Sequence, residues 1–512
     1  MAKSISLRTT SPACRRNELI LPPVRRGDAV GRRIVRVLLV GAALAAPGVA
    51  LAQPESPELP EKTPGAAARP MFYKGKGPGR NNAYVERFEE DYAYLRDPAK
   101  ASDVFDRLKF IPLDAGGDVY LTLNGEIRFR FDSTSHRNFA IAPAAMAGPG
   151  PGGRPVFFTV AGAGTTQLYR QRYELGGDLH LGPHFRLYAD LYRGQQTGHH
   201  VGPVVPGNLR DDLDLVNGFA EAYGILGGAK TGLRAGRQQV YLGNNLQVRA
   251  NLSTNLPSPV FDGVRAYRDW GPLRIDVFAF DKVDFANGIL QGRDNARTNL
   301  WGAYASWDLP RPGGVAAGER ASVDVFYLGW RSHPFANGSG SGIYNDRALL
   351  TGTRIVAATG AGFVASQDHR HTLGLRGYGG FGAVDYDWQA AIQGGSYAGR
   401  RVAAFALNTD SGYTFRGLPW RPRLALHLDA ASGGAGRTAM HTYQPMYPNT
   451  QYYAPNNEFA PTNFYDLAPH IVVKPVPEMT VEAYYSFLWR YSEADAIYGG
   501  APWPGGNGQN PY

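Results

Sequence analysis

From Val119 to Asp132 the chain reads VYLTLNGEIRFRFD, and the two faces of that stretch call for different solvents. Val119, Leu121, Leu123, Gly125, Ile127, Phe129 and Phe131 fall on one face, and Tyr120, Thr122, Asn124, Glu126, Arg128, Arg130 and Asp132 on the other. Only an extended strand keeps a period of two. Strands of soluble sandwiches usually stop at about five or six residues, whereas this one is long enough to cross a bilayer at a tilt. Gln167 to Leu181 repeats the pattern, with Arg170, Arg172, Glu174, Asp178 and His180 on the polar face. After Gly182-Pro183 it returns from Phe185, with Arg186, Tyr188, Asp190 and Tyr192 as the polar set. Similar runs are Leu215–Gly224, Thr231–Gln239, Val260–Asp269, Leu273–Asp281, Thr298–Asp308, Ala321–Arg331, His371–Gly379, Val384–Gln393, Val402–Asp410, Arg423–Ala430, Ala468–Lys474 and Thr480–Tyr491. Together these make about fifteen strands, with no long helix among them.

The connections come in two kinds. Gly227-Gly228, Trp270-Gly271-Pro272, Gly379-Gly380 and Pro475-Val476-Pro477 are minimal; His136–Thr166, Phe335–Asp368 and Gly433–Pro461 are long and rich in glycine. Short turns at one end and long loops at the other are the layout of an outer-membrane barrel, turns periplasmic and loops outside. Tyr241, Tyr267, Trp270, Trp301, Trp307, Trp330, Trp388, Trp489 and Tyr491 lie near strand ends, where aromatic girdles belong. Mean hydropathy of −0.31 does not oppose a membrane location, because the inner face and the loops of such a barrel are polar.

The first residues carry Arg15, Arg16, Arg25, Arg26, Arg32, Arg33 and Arg36 ahead of an apolar run, Val37–Ala46, and the small-residue pattern Ala50-Leu51-Ala52. This is the form of a secretory signal peptide over residues 1–52, with Gln53 as the mature terminus. Removing its nine basic and two acidic residues leaves 44 basic and 42 acidic ones, so the net charge falls from +9 to +2. The basic character is mostly leader, and nothing points to nucleic acid. The only cysteine, Cys14, lies in the leader, so the mature chain has neither disulfide nor thiolate chemistry. Residues 53–118 read as a flexible linker and an N-terminal periplasmic segment at the barrel mouth. In it, Tyr84, Phe88, Tyr92 and Leu95 suggest a short helix ending before Pro98. That segment either packs on the mouth or forms a constriction within a pore. Residues 119–512 are the barrel.

With Leu, Val and Phe facing lipid, Glu126, Arg128, Arg130, Asp132, Arg170, Arg172, Glu174, Arg186, Asp190, Arg234, Arg265, Arg274 and Asp276 face inward. Charge of that density cannot face hydrocarbon, so the interior is expected to be wet. The arginines form either a ladder braced by carboxylates such as Glu126 and Asp262, or cations available to bind and pass anions.

Gly236-Arg237-Gln238 followed by Phe261-Asp262-Gly263-Val264-Arg265 are the most specific motifs. With the Leu-x-Asp-Pro and Leu-Lys-Phe-Ile-Pro segments between Asp91 and Pro112, the strand Leu121–Phe131, and Asn463-Phe464-Tyr465-Asp466-Leu467 through Trp489-Arg490, they follow one another in an order that resembles the alginate export family of outer-membrane proteins. The resemblance covers nearly all of the mature chain. It implies an all-β fold, a transmembrane antiparallel β-barrel of about 16–18 strands, acting as a monomer whose arginine-lined pore passes an anionic polysaccharide. The pore role carries over most directly to Arg128, Arg130, Arg237 and Arg265. Outer-membrane lipid, lipopolysaccharide and the barrel assembly machinery are the other partners implied. The ending PWPGGNGQNPY is a loop composition where a closing strand is expected, so two or three C-terminal strands are expected to be missing.

Other motifs carry less. Asp368-His369-Arg370-His371 and His199-His200 lack a partner cluster and read as solvated histidines. Gly75-x-Gly-x-Gly79 and Gly338-x-Gly-x-Gly342 lack the strand and helix that phosphate binding needs. Glu89-Glu90 and Asp385-x-Asp387 are not placed across any cleft, and no Ser-His set suggests a hydrolase. The expectation is a channel with no catalytic residue, metal or cofactor, passing an acidic carbohydrate. The alternatives are a general or small-organic-acid porin, a barrel-embedded enzyme and a plugged structural or adhesive barrel.

Overall fold

A computed structural model describes residues 3–6, 87–101, 104–135, 144–149, 155–159, 165–199, 210–224, 231–244, 246–248, 259–285, 288–309, 320–332, 368–397, 399–434, 439–447, 461–476 and 479–492. The expected cleavage site, the linker before residue 87, Gly227-Gly228, most of the loop Phe335–Asp368 and the C-terminal PWPGGNGQNPY lie outside them.

Period-two patterning becomes one antiparallel sheet. Its strands are β1 Val119–Ser135, β2 Thr165–Leu181, β3 Phe185–His199, β4 Arg210–Tyr223, β5 Thr231–Gln238, β6 Phe261–Asp269, β7 Leu273–Asp284 and β8 Arg293–Asp308. They continue as β9 Arg320–Ser332, β10 Asp368–Phe381, β11 Val384–Tyr397, β12 Arg400–Thr414, β13 Arg423–Ala431, β14 Phe464–Val476 and β15 Met479–Tyr484. Phe487–Arg490 prolongs β15 along the same neighbour, β14. Each of the fifteen strands pairs with the next in sequence, and the rest of the sheet consists of short pieces at Lys3–Ser6, Ile111–Pro112 and Ala439–Met440. Ile111–Pro112 lies along β1 and Lys3–Ser6 along β15, and no ladder joins β1 to β15 among the described residues. Ala144–Pro149 and Pro155–Thr159 form a separate hairpin within the β1–β2 connection.

The outward set is apolar and solvent-accessible, as a lipid-facing wall requires: Ile127 is 71% exposed and Ile392 62%. The inward set is buried or half-buried, with Arg172 and Arg234 each 2% exposed. Connections 182–184, 224–230, 270–272, 309–319, 382–383, 415–422 and 477–478 share one end. Connections 136–164, 200–209, 239–260, 285–292, 333–367, 398–399 and 432–463 share the other. Two expected turns shift. Gly379 and Gly380 belong to β10, with the turn at 382–383, and Pro475 and Val476 close β14. Gly182 sits at φ +69°, with open space where a Cβ would be, so the sharp β2–β3 turn needs a residue that tolerates the left-handed region.

Trp270 and Trp307 stand exposed at the turn end as girdle residues should, joined by Trp420, which the sequence reading did not pick out. Tyr241, Tyr267 and Trp330 do not. Tyr241 and Trp330 are buried in the interior, and Tyr267 turns in to bond Glu221. Proximity to a strand end places a side chain in depth but does not say which face it takes.

Epitope tags at Gly182-Pro183 are expected to stay hidden in intact cells, while tags within 335–367 are labelled; the opposite labelling would invert the orientation.

Candidate functional site

The chamber at the turn end is built from β1 to β7 and from a segment that the chain threads inside them. Instead of one helix, that segment forms short 3-10 turns at Arg87–Glu89, Ala93–Arg96 and Pro98–Lys100, because Asp97 caps the last of these by accepting from Ala99 N and Pro98 prevents continuation. Phe88 packs edge-on against Tyr188 and Phe219, so the segment enters the barrel interior. Arg87 bonds Glu126 at 3.0 Å, pairs with Glu174 and lies 3.6 Å from Asp190. Burial alone would lower its pKa, but Asp190 and Glu126 more than offset this and hold the guanidinium above its ordinary value.

Across the strands, alternation and register set the charges in rows. Arg186 faces Glu221 on β4, Glu221 faces Arg234 on β5, and Arg234 faces Arg265 on β6. Glu221 accepts from Arg186 at 2.6 Å, Arg234 at 2.9 Å and Tyr267 at 3.1 Å. Arg186 also donates to Asp178 and to the Phe88 carbonyl, both at 2.9 Å, and Arg234 to Glu89 at 3.1 Å. Arg265 and Arg274 share Asp276 at 2.8 and 2.7 Å. Arg172 binds Glu126 and Glu174, while Arg130 and Arg170 flank Asp132. Arg128 lies on the same inner face, opposite Arg172 in the β1–β2 ladder. Beside this network is a cavity of about 430 Å³, lined by five arginines (Arg96, Arg186, Arg234, Arg265, Arg274) and five carboxylates (Glu89, Glu90, Asp91, Asp118, Glu221). Arg234 stacks on Phe219 at 4.2 Å, and its Nε and Nη1 make no hydrogen bond to the described residues.

Arg237 and Asp262 do not join this chamber. Three residues from Arg234, Arg237 takes the other face by alternation. It grips Asp262 through two bonds of 2.8 Å and also donates to the carbonyls of Leu215 and Gly292. Gly236 and Gly263 face each other across the ladder, at φ +127° and +158°, and a Cβ on either would stand 2.2 to 2.3 Å from a carbonyl oxygen of the neighbouring strand. Gln238, fully buried, reaches both glycine carbonyls. The two motifs therefore form a clasp between β5 and β6, and of their arginines only Arg265 reaches the chamber.

Part of the loop-end interior is filled by packed apolar side chains, beside buried polar groups such as Arg370, Thr372 and Gln393. Phe261, Phe278, Leu300, Phe326, Leu328 and Trp330 point inward and pack around two loop segments, 240–244 with 246–248, and 440–447. Tyr447 accepts from Trp330 Nε1 at 3.3 Å, Tyr443 donates to Gln247 at 2.7 Å, and Val248 and Tyr447 form a parallel bridge. Buried Arg370 holds the second segment by donating to the Thr442 carbonyl at 3.0 Å. Both segments belong to long connections, whose composition reads as exposed loop, so no sequence signal marked them as interior.

The sequence reading also missed Arg87, Phe88, Glu89 and Glu221. Their roles depend on threading and register. Only the alternation around Glu221 hinted that its side chain turns inward.

A family model described as Alginate export matches residues 156–510. Among solved structures the chain is similar to OccAB1 of Acinetobacter baumannii, at 13% identity over 73% of this chain and 91% of that one, with a TM-score of 0.37. It is also similar to OpdK of Pseudomonas aeruginosa solved with vanillate, at 12% identity over 75% and 95%, with a TM-score of 0.38. For a BenF-like porin of Pseudomonas fluorescens Pf-5 the values are 9%, 75%, 96% and 0.33. No curated protein matches. With a family model covering more than half of its length and a β-sheet whose lipid-facing wall encloses a charged interior, this chain belongs to the alginate export family of outer-membrane channels.

Proposed function

We propose that the channel passes an acidic carbohydrate, whose carboxylates take up guanidinium donors lining the turn-end chamber. The observation that carries this reading is Arg234, the most buried of four guanidinium groups, with Arg186, Arg265 and Arg274, that line one cavity. A planar guanidinium matches a carboxylate in two-point geometry. Arg186, Arg265 and Arg274 stand beside it, each held by a carboxylate that a passing sugar acid could replace. Arg128, Arg130, Arg170 and Arg172 continue the inner face toward the loop end. In the same reading residues 1–52 direct export and are then removed, which would release Lys3–Ser6 from its place beside β15.

A general porin is the second reading, favoured by the equal numbers of arginines and carboxylates around the cavity. Reversal potentials of the folded channel in planar bilayers separate the two. The first expects an anion preference that weakens with salt and with Arg234→Ala, together with current block by oligouronates but not by neutral oligosaccharides of equal length. A conducting parent without anion preference or block rejects the arginine route and leaves the general porin.

A further inference from the structure

On the far wall from the charged chamber, three side chains able to ligate a metal converge on the inner face. Asp410 of β12 and His427 of β13 are opposite each other in their ladder, and His470 of β14 faces Ala425, two residues from His427. His427 Nε2 lies 3.4 Å from one Asp410 oxygen and His470 Nε2 3.9 Å from the other. The imidazoles meet edge to face at 4.6 Å, and the ligand atoms of all three residues fall within 4.8 Å of one another. Ligands bound at about 2.0–2.1 Å to a tetrahedral ion stand about 3.3–3.5 Å apart. The first separation already meets that spacing; the second runs to the other Asp410 oxygen, and with the ligand atoms spread over as much as 4.8 Å the site closes by shifts of about an ångström.

Two further observations point to a ligand here. Arg423 directs Nη1 at His470 Nε2 and Nη2 at Asp410, each at 3.0 Å. A guanidinium can only donate, so the His470 Nε2 lone pair faces into the cluster, as a metal ligand requires. Asp429, 3% exposed, places an oxygen that makes no hydrogen bond to the described residues 4.0 Å from His427 Nδ1. A carboxylate that accepts from a histidine's second nitrogen is the usual outer support of a metal-bound imidazole, and Asp429 takes that role by closing the 4.0 Å gap by about an ångström.

We propose that Asp410, His427 and His470 bind a divalent transition-metal ion of the zinc or cobalt class, with a fourth position open to the barrel interior. The ion takes the place of the Arg423 donors, and Arg423 keeps its second carboxylate, Asp385. It ties β12, β13 and β14 together.

The test is titration of the full-length folded barrel in detergent with Co²⁺ and Zn²⁺ alone, each sample checked for folding by heat modifiability. The expected result is one ion per chain, a visible cobalt absorption band, and affinity reduced at least ~100-fold by His427→Gln or His470→Gln and ~10–100-fold by Asp429→Asn. Arg423→Met, which removes the competing cation, is expected to tighten binding, a gain that misfolding cannot produce. The paired substitution His369→Gln and His371→Gln, elsewhere on the barrel wall, leaves binding intact. Absence of binding by folded parent protein, binding undiminished without His427 and His470, or binding lost with His369 and His371 overturns the assignment.

Discussion

Glu221→Gln is expected to destabilise the folded barrel by about 3–5 kcal/mol, because it removes the anion that two buried guanidinium groups share. Arg186 and Arg234 approach this carboxylate at 2.6 and 2.9 Å, and their side chains are 9% and 2% exposed. Glutamine keeps the shape and one acceptor but not the charge. Arg234 would retain only Glu89, and Tyr267 would lose a charged acceptor. Equilibrium unfolding in urea, followed by the folded and unfolded bands on gels, reads the effect. Replacing Glu221 and Arg234 together by Leu and Met should recover part of the loss, since an apolar pair of similar volume leaves fewer uncompensated charges. A Glu221→Gln barrel within about 0.5 kcal/mol of the parent, the range of ordinary surface changes, would show that the row is not a stability element.

Shortening the interior segment by deleting residues 441–447 is expected to raise single-channel conductance severalfold, with heat modifiability retained. Tyr443, Met446 and Tyr447 are each no more than 1% exposed, and they fill space enclosed by Trp330, Phe261 and Val248. Ions cross a barrel through water, so a passage packed with side chains conducts poorly until they leave it. Tyr443→Ser with Tyr447→Ser is the milder variant. It removes the bonds to Gln247 and Trp330, and longer or more frequent open states are expected. Unchanged conductance in the folded deletion variant would route the current elsewhere.

Much of the wall was legible because a strand's two faces follow from counting residues. Glu126, Arg172, Arg186, Arg234 and Arg274 point inward as alternation requires, and Ile127, Phe129 and Leu175 point outward. The candidate site was legible only in its ingredients. Arg234 and Arg265 could be placed on the inner face, but that Glu221 joins Arg186 to Arg234 depends on ladder register. Arg237 shows the limit most directly. Its motif marked it as important, and the structure uses it to clasp Asp262 on the other face.

Taken alone, the sequence determined the fold class, the strands and the chemistry of each face, because these depend on local periodicity and on the cost of placing charge in hydrocarbon. Only the tertiary structure decided which arginines meet which carboxylates, that Arg87–Glu89 threads into the chamber, and that 246–248 and 440–447 pack into the loop-end interior. Those contacts join residues far apart in the chain, such as Arg234 with Glu89 and Tyr443 with Gln247. Curvature of the sheet around the segments threaded inside it brings them together, and no local pattern encodes that.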